Sequence, residues 1–258
     1  MPELPEVETL CRQLQKKIAG KKIVSSEIYD PKLAHVKDIR GNTVTAVRRN
    51  GKTVEMLLDD GNSVFIHLRM TGRLLWQEKA GDRPKHGRWR ISFDEGNIYL
   101  VDPRRFATIK ILPTKMSSAG SDILQGFDEQ SFIEKHGRRK TKVKSLIMDQ
   151  RALSGIGNIY ACEILHCAGI QPERPAASLT NKDWKKVFAK TKDILQKAIE
   201  KRGTSISDWR DLHGRKGENQ FELKAYGREG KKCVKCGAAI IRIKQGGRST
   251  FYCPVCQK

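Results

Sequence analysis

Two CxxC pairs near the C-terminus constrain this chain more than any other feature. Cys233 and Cys236 are separated by sixteen residues from Cys253 and Cys256. Four thiolates at this spacing suit a single tetrahedral zinc ion. The intervening IIRIKQGGRSTFY has strand character on both sides of Gly246-Gly247, which predicts a β-hairpin finger. Four protein thiolates leave no open coordination position, so the site reads as structural. Two disulfides are the competing reading, disfavoured in a reducing cell. The other cysteines, Cys11, Cys162 and Cys167, fall inside apolar helical patterns and read as small buried hydrophobes.

Charge points to the partner. Fifty Lys and Arg against 29 Asp and Glu leave a formal charge of +21, more than solubility alone requires. Residues 134–144 hold six basic residues and one acid, and residues 224–248 hold eight and one. Solvated surface lysines would explain either stretch alone but explain the pair poorly. Nucleic acid is therefore favoured. An anionic membrane is less so, because no basic amphipathic helix with a bulky apolar face is evident. Apolar runs are short and interrupted by charges, so none spans a bilayer. The opening MPELPEVETL lacks a basic-then-apolar signal segment, which predicts a cytoplasmic protein.

Residues 3–19 carry a helical stripe of Val7, Leu10, Cys11, Leu14 and Ile18, stopped by Gly20. The period then changes. Val54, Met56 and Leu58 alternate, as do Val64, Ile66, Leu68 and Met70, with Asp60-Gly61 as a hairpin turn between them. WRISF, DEGN and IYLVD suggest a second hairpin, and ATIKIL a further strand. Together these predict an α+β protein whose first domain, 1–112, is a β-sandwich or flattened barrel packed on the first helix. Residues 113–122 form the best linker. Residues 123–222 read as a helical domain, whose clearest helix opens with a Thr180/Asp183 capping box. Within it, 203–220 reads as a long polar loop. The zinc finger takes 223–258.

Pro2 has two readings. Pro-Glu at a helix start is ordinary punctuation. Alternatively, removal of Met1 would leave a secondary amine titrating near ~7.7–8.0, unprotonated often enough to attack a sugar carbon. Glu3 would then serve as general acid or base.

Six ordered stretches decide between these readings. PELPEVET, HLRMTGRL (67–74), DPRRF (102–106), SGIGNIYACEIL (154–165), YGREG (226–230) and GRSTFYCPVCQ resemble formamidopyrimidine-DNA glycosylases from residue 2 to the C-terminus. The resemblance implies a bifunctional glycosylase and abasic-site lyase, with an N-terminal β-sandwich, a helix–two-turns–helix domain and a zinc hairpin. It implies that Pro2 is the nucleophile, that Glu3 protonates the sugar ring oxygen, and that Lys52 contacts the lesion strand and assists. Asn158 and Arg248 would grip phosphates beside the damaged nucleotide, assisted by His67, Lys140 and Tyr226. Met70, Arg104 and Phe106 match the family's side chains that fill the space of an extruded base. Arg105 and His86 would add DNA contacts. Outside the resemblance each has a plainer reading: Met70 continues an apolar strand face, and Asn158 is a turn residue.

Three departures from the family pattern are visible. KHGR (85–88) keeps His86 but places Arg88 where a second histidine is usual. Ala107 replaces a glycine, and the connection around 29–42 is short. The implied activity is excision of oxidised purines from duplex DNA by a monomer carrying one structural zinc. The alternatives are excision of oxidised pyrimidines, as by endonuclease VIII, and a non-catalytic zinc-ribbon DNA-binding protein. Leu4 in PELPEV favours the purine enzyme, since the pyrimidine relative usually has glycine there.

Overall fold

A computed structural model describes residues 1–78, 81–114 and 120–258. The chain forms two compact units, one of 1–118 with 201–220, the other of 119–200 with 221–258.

The first unit begins with helix α1, Leu4–Ile18, which buries Val7, Leu10, Leu14 and Ile18 on one face. Gly20 follows at φ 77°, a conformation that ends the helix at little cost to glycine. Eight strands follow: β1 (Ser25–Ile28), β2 (Val44–Asn50), β3 (Thr53–Leu58), β4 (Asn62–His67), β5 (Arg73–Gln77), β6 (Gly87–Phe93), β7 (Gly96–Val101) and β8 (Thr108–Pro113). They form two antiparallel four-stranded sheets, ordered β1-β6-β7-β5 and β2-β3-β4-β8. This is the expected sandwich. Val54, Met56, Val64 and Ile66 face its core together with Leu74, Trp89, Ile91, Ile98 and Leu100, and α1 packs on β2 and β3.

Residues 201–220 differ from the sequence reading, which placed them in the helical domain, 203–220 as a polar loop. They cluster with the sandwich. Trp209 and Leu212 enter its hydrophobic core. Leu212 accepts the Trp76 amide at 2.8 Å. The Gln13 side chain holds both the Asp211 carboxylate and the Leu212 amide, each at 3.0 Å. Polar composition concealed a segment whose polar groups bond to α1 and β5.

The second unit contains α2 (Glu129–His136), α3 (Val143–Ile147), α4 (Asn158–Ala168) and α5 (Asn181–Glu200), then the hairpin β9 (Ile241–Gln245) and β10 (Arg248–Tyr252). Its finger is thus continuous with the helical part. Thr180 and Asp183 cap α5 reciprocally, at 3.1 and 3.2 Å. Phe127, Phe132, Trp184 and Phe188 form an aromatic core against α5. Of the expected linker, residues 115–119 lie outside the described residues. Among the described residues no helix is long and apolar enough to cross a membrane.

Candidate active site and nucleic-acid interface

The N-terminal peptide is tightly held. Pro2 and Glu3 are buried, and Glu3 and Glu6 form a reciprocal capping box at the start of α1. Glu6 accepts the Glu3 amide at 2.7 Å with one oxygen and the Thr204 amide at 2.7 Å with the other. Gly203 adopts φ 80°, and a Cβ there would meet Glu6 Oε1 at 2.6 Å. One carboxylate thus ties the start of the chain to residues 203–204. With Met1 present, the nitrogen of Pro2 is an amide.

Lys52 lies in the two-residue turn between β2 and β3, where Asn50 pairs with Thr53. Gly51 supplies the left-handed φ of 58° that the first turn position demands. Beneath it, the buried Arg49 pairs with Glu8 at 2.9 Å and donates to the Gly51 carbonyl at 3.3 Å. The turn is therefore braced from α1, and Lys52 is itself buried. At the end of β4, His67 Nδ1 accepts the Arg69 amide at 3.1 Å. Burial, with Arg69 and Lys52 nearby, pushes its pKa down to about 4. The ring is neutral and its proton sits on Nε2, a donor suited to an anionic oxygen.

Two loops hold apolar side chains out in solvent. Met70 is 49% exposed and Phe106 45%. The Arg104 guanidinium covers the Phe106 ring at 4.7 Å. Both loops end on Asp102, which is 1% exposed. Its Oδ1 accepts Thr71 Oγ1 at 2.5 Å and the Arg104 amide at 3.2 Å. Its Oδ2 accepts the Phe106 and Ala107 amides, each at 2.7 Å. Arg105 forks onto Asp30 at 2.8 and 2.5 Å and holds that carboxyl below its ordinary range. Arg88 donates to the Asp102 carbonyl at 2.9 Å. His86 is exposed, and its carbonyl accepts the Asp102 amide at 3.0 Å.

The second unit gathers a different set. Asn158, first residue of α4, donates to the Ser249 carbonyl at 2.9 Å and accepts the Lys144 ammonium at 2.5 Å. Lys144 is 2% exposed and also donates to Thr250 Oγ1 at 2.8 Å. Lys144, Met148, Gln245, Gly246 and the exposed Arg248 line a cavity of about 250 Å³. Two cations, Lys144 and Arg248, face the backbone of Gly246 there, with one acid, Asp149, on the same lining; the cations can attract an anionic oxygen. Tyr226 packs edge-on against Phe251 at 5.2 Å, and its amide is held by Glu163 at 2.8 Å. Glu163 also takes the Lys224 and Ala225 amides, at 2.8 and 2.9 Å. Lys140 stays on the surface ahead of α3.

The Sγ atoms of Cys233, Cys236, Cys253 and Cys256 lie within 4.8 Å of one another. Cys233 and Cys256 are 3.9 Å apart, Cys236 and Cys253 3.5 Å. Four Zn–S bonds of ~2.3 Å at tetrahedral angles put sulfurs about 3.8 Å apart, whereas a disulfide needs ~2.05 Å. The cluster fits zinc and excludes the disulfide alternative. The Lys235 and Cys256 amides point at Cys233 and Cys253 sulfur, each at 3.4 Å, as donors to thiolates do.

Three family models tile the chain: the formamidopyrimidine-DNA glycosylase N-terminal domain over residues 1–109, its H2TH domain over 120–209, and the zinc finger found in FPG and IleRS over 230–258. The chain belongs to the formamidopyrimidine-DNA glycosylase family. The formamidopyrimidine-DNA glycosylase of Pelotomaculum thermopropionicum is 39% identical, covering 100% of this chain and 99% of that protein. That of Desulfitobacterium hafniense is 36% identical with full coverage of both. A Lactococcus lactis FPG variant in complex with Fapy-dG-containing DNA superposes with a TM-score of 0.92 at 34% identity, covering 100% of both chains. A complex of the Lactococcus lactis Fpg with abasic-site DNA gives 0.92 at 35%, covering 99% of each.

Within this glycosylase frame the departures acquire structural meaning. Arg88, in place of a histidine, is spent on the loop that carries Arg104 and Phe106. Ala107 fits because its methyl faces Gly72, where an added Cβ would lie 3.1 Å away. Sequence reasoning missed Asp102, Lys144 and Glu163, all buried ionisable residues. Asp102 stood inside the DPRRF motif, and buried Lys144 alternated with apolar residues in KVKSLI; neither position betrayed its partners.

Proposed function

We propose that this chain excises oxidised purines such as 8-oxoguanine and formamidopyrimidines from duplex DNA, then cleaves the strand as an abasic-site lyase. The observation that carries this reading is the match of all three glycosylase domain families, in order, along one chain. After Met1 is removed, the Pro2 nitrogen attacks C1′ of the damaged nucleotide while Glu3 protonates the sugar ring oxygen. The base departs, the C1′–O4′ bond then breaks with its electrons going to the protonated ring oxygen, and the nitrogen lone pair forms an iminium with C1′. The iminium acidifies the C2′ proton. Its loss expels the 3′ phosphate, and a second elimination expels the 5′ phosphate, leaving a one-nucleotide gap. Lys52, held in its braced turn, supplies positive charge to the lesion strand. Met70, Arg104 and Phe106 fill the vacated stack, supported by their exposure on two anchored loops. Asn158, Lys144 and Arg248 grip phosphate, with His67, His86, Arg105, Lys140 and Tyr226 as further contacts. Zinc holds the finger in shape and takes no part in the chemistry. The enzyme acts as a monomer on DNA inside the cell.

Borohydride reduction tests this. Incubation of the mature protein with an 8-oxoguanine duplex and borohydride should yield a covalent adduct at Pro2 by peptide mass spectrometry, lost in Pro2→Gly. Tight binding without any adduct would sink the enzymatic reading. Faster excision of thymine glycol than of 8-oxoguanine would replace the purine substrate with a pyrimidine.

A further inference from the structure

Four non-glycine residues among those described have left-handed backbone: Arg69, His86, Arg105 and Arg202, at φ 55°, 66°, 58° and 57°. Such conformations cost free energy and persist only where surrounding contacts enforce them. Two of the four bond to the Asp102 backbone, and a third lies near its partner Thr71. His86 accepts the Asp102 amide, Arg105 donates to the Asp102 carbonyl at 3.4 Å, and Arg69 lies two residues before Thr71. The Asp102 carboxylate then divides its oxygens between loops 31 residues apart. Oδ2 serves only the Phe106 loop, while Oδ1 bridges that loop to Thr71 beside Met70. The two loops also meet at Gly72, where an added Cβ would lie 3.1 Å from the Ala107 Cβ.

We propose that the Thr71–Asp102 bond makes Met70 and Phe106 a single rigid wedge, with Asp102 the positioning residue that sets their joint orientation for entry into the duplex. The proposal rests on the reading of Met70, Arg104 and Phe106 as space-filling side chains. Each side chain projects from a short turn into water, Phe106 beneath the Arg104 guanidinium. A shared buried carboxylate converts two loosely held groups into one preorganised shape, so insertion of one carries the other. Asp is suited to this because it is short and offers two acceptor oxygens to four donors.

The test uses the mature full-length enzyme, an 8-oxoguanine duplex with 2-aminopurine beside the lesion, stopped-flow fluorescence and single-turnover excision. Thr71→Val removes the hydroxyl and keeps the shape. It should slow both the fluorescence step and excision about tenfold, the effect of one hydrogen bond to a charged acceptor. Thr71→Ser should restore both, with the thermal midpoint unchanged. Met70→Ala and Phe106→Ala should be coupled with Thr71 present and additive in the Thr71→Val background. If both alanine variants excise normally, the wedge reading fails and the proposal with it. If both slow excision but Thr71→Val does not, or coupling survives it, the proposal alone is overturned. Should Thr71→Val lower the midpoint, Thr71→Ala is read in the same way.

A second inference stands on the finger. His166, in α4, is 0% exposed and its Nε2 lies 3.3 Å from Cys233 Sγ. Its Nδ1 has no partner among the described residues, so the acceptor open to a ring N–H is the Cys233 sulfur beside Nε2. The structure assigns His166 an N–H···S bond to the Cys233 thiolate, which ties the zinc site to the helix that begins with Asn158. Loading the protein with cadmium-113 should give a cross-peak between the metal and the His166 Nε2 proton. His166→Phe should release zinc to a chelator about tenfold faster, and His166→Gln, which retains a donor, should release it more slowly than His166→Phe. A missing cross-peak or an unchanged release rate overturns the assignment.

Discussion

His67 closes β4 with Nδ1 engaged by the Arg69 amide and its pKa pushed down to about 4. An unfolded histidine takes up its proton near ~6.5. Between those values the unfolded chain binds more protons than the folded one. The stability contributed by the neutral ring is complete above the unfolded value and is lost as pH falls toward the folded one. In His67→Gln, the gap between thermal midpoints at about pH 7 and about pH 5 should therefore narrow; an unchanged gap would show that the ring does not titrate this way. Glu163 makes a complementary case. Its buried carboxylate receives three amides from 224–226, and Glu163→Gln leaves one carbonyl oxygen to satisfy them. That should cost about 2 kcal/mol in thermal or urea unfolding and loosen Tyr226. At this scale the four cysteines were legible because their spacing is local. Lys144 and Glu163 were not, because their partners Thr250 and Tyr226 lie 106 and 63 residues away.

The finger hairpin turns through Gly246 and Gly247 at φ 55° and 76°, the pair of left-handed positions that suits a twisted two-residue turn. Gly247→Ala should cost about 1 kcal/mol at this left-handed position and weaken DNA binding by moving Arg248, measured by unfolding and by fluorescence anisotropy. Loss of stability with unchanged affinity would separate the turn from the phosphate grip. Elements with a strong local signature were readable in advance: the α1 stripe, the alternating β3 and β4 around Asp60-Gly61, and the Thr180/Asp183 cap of α5. Strand β1 was not, since SSEI carries no alternation and owes its place to pairing with β6. Nor was the course of 201–220, where Trp209 and Leu212 are isolated apolar residues without a period.

Across the whole molecule, the +21 charge predicts affinity dominated by phosphates. Binding to undamaged duplex should fall on the order of a thousandfold between ~50 and ~200 mM salt if about six phosphates are neutralised. A shallow slope in a titration would assign the excess charge elsewhere. The return of residues 201–220 to the sandwich has a consequence for synthesis. The strands and α1 emerge from the ribosome first, yet Glu6, Gln13 and the Trp76 amide must wait for partners made about two hundred residues after α1 begins. The intervening helices are complete before then. The earliest segment translated is thus not the earliest finished, and a nascent chain stalled after Glu200 should expose an open flank of the sandwich to chaperones and proteases.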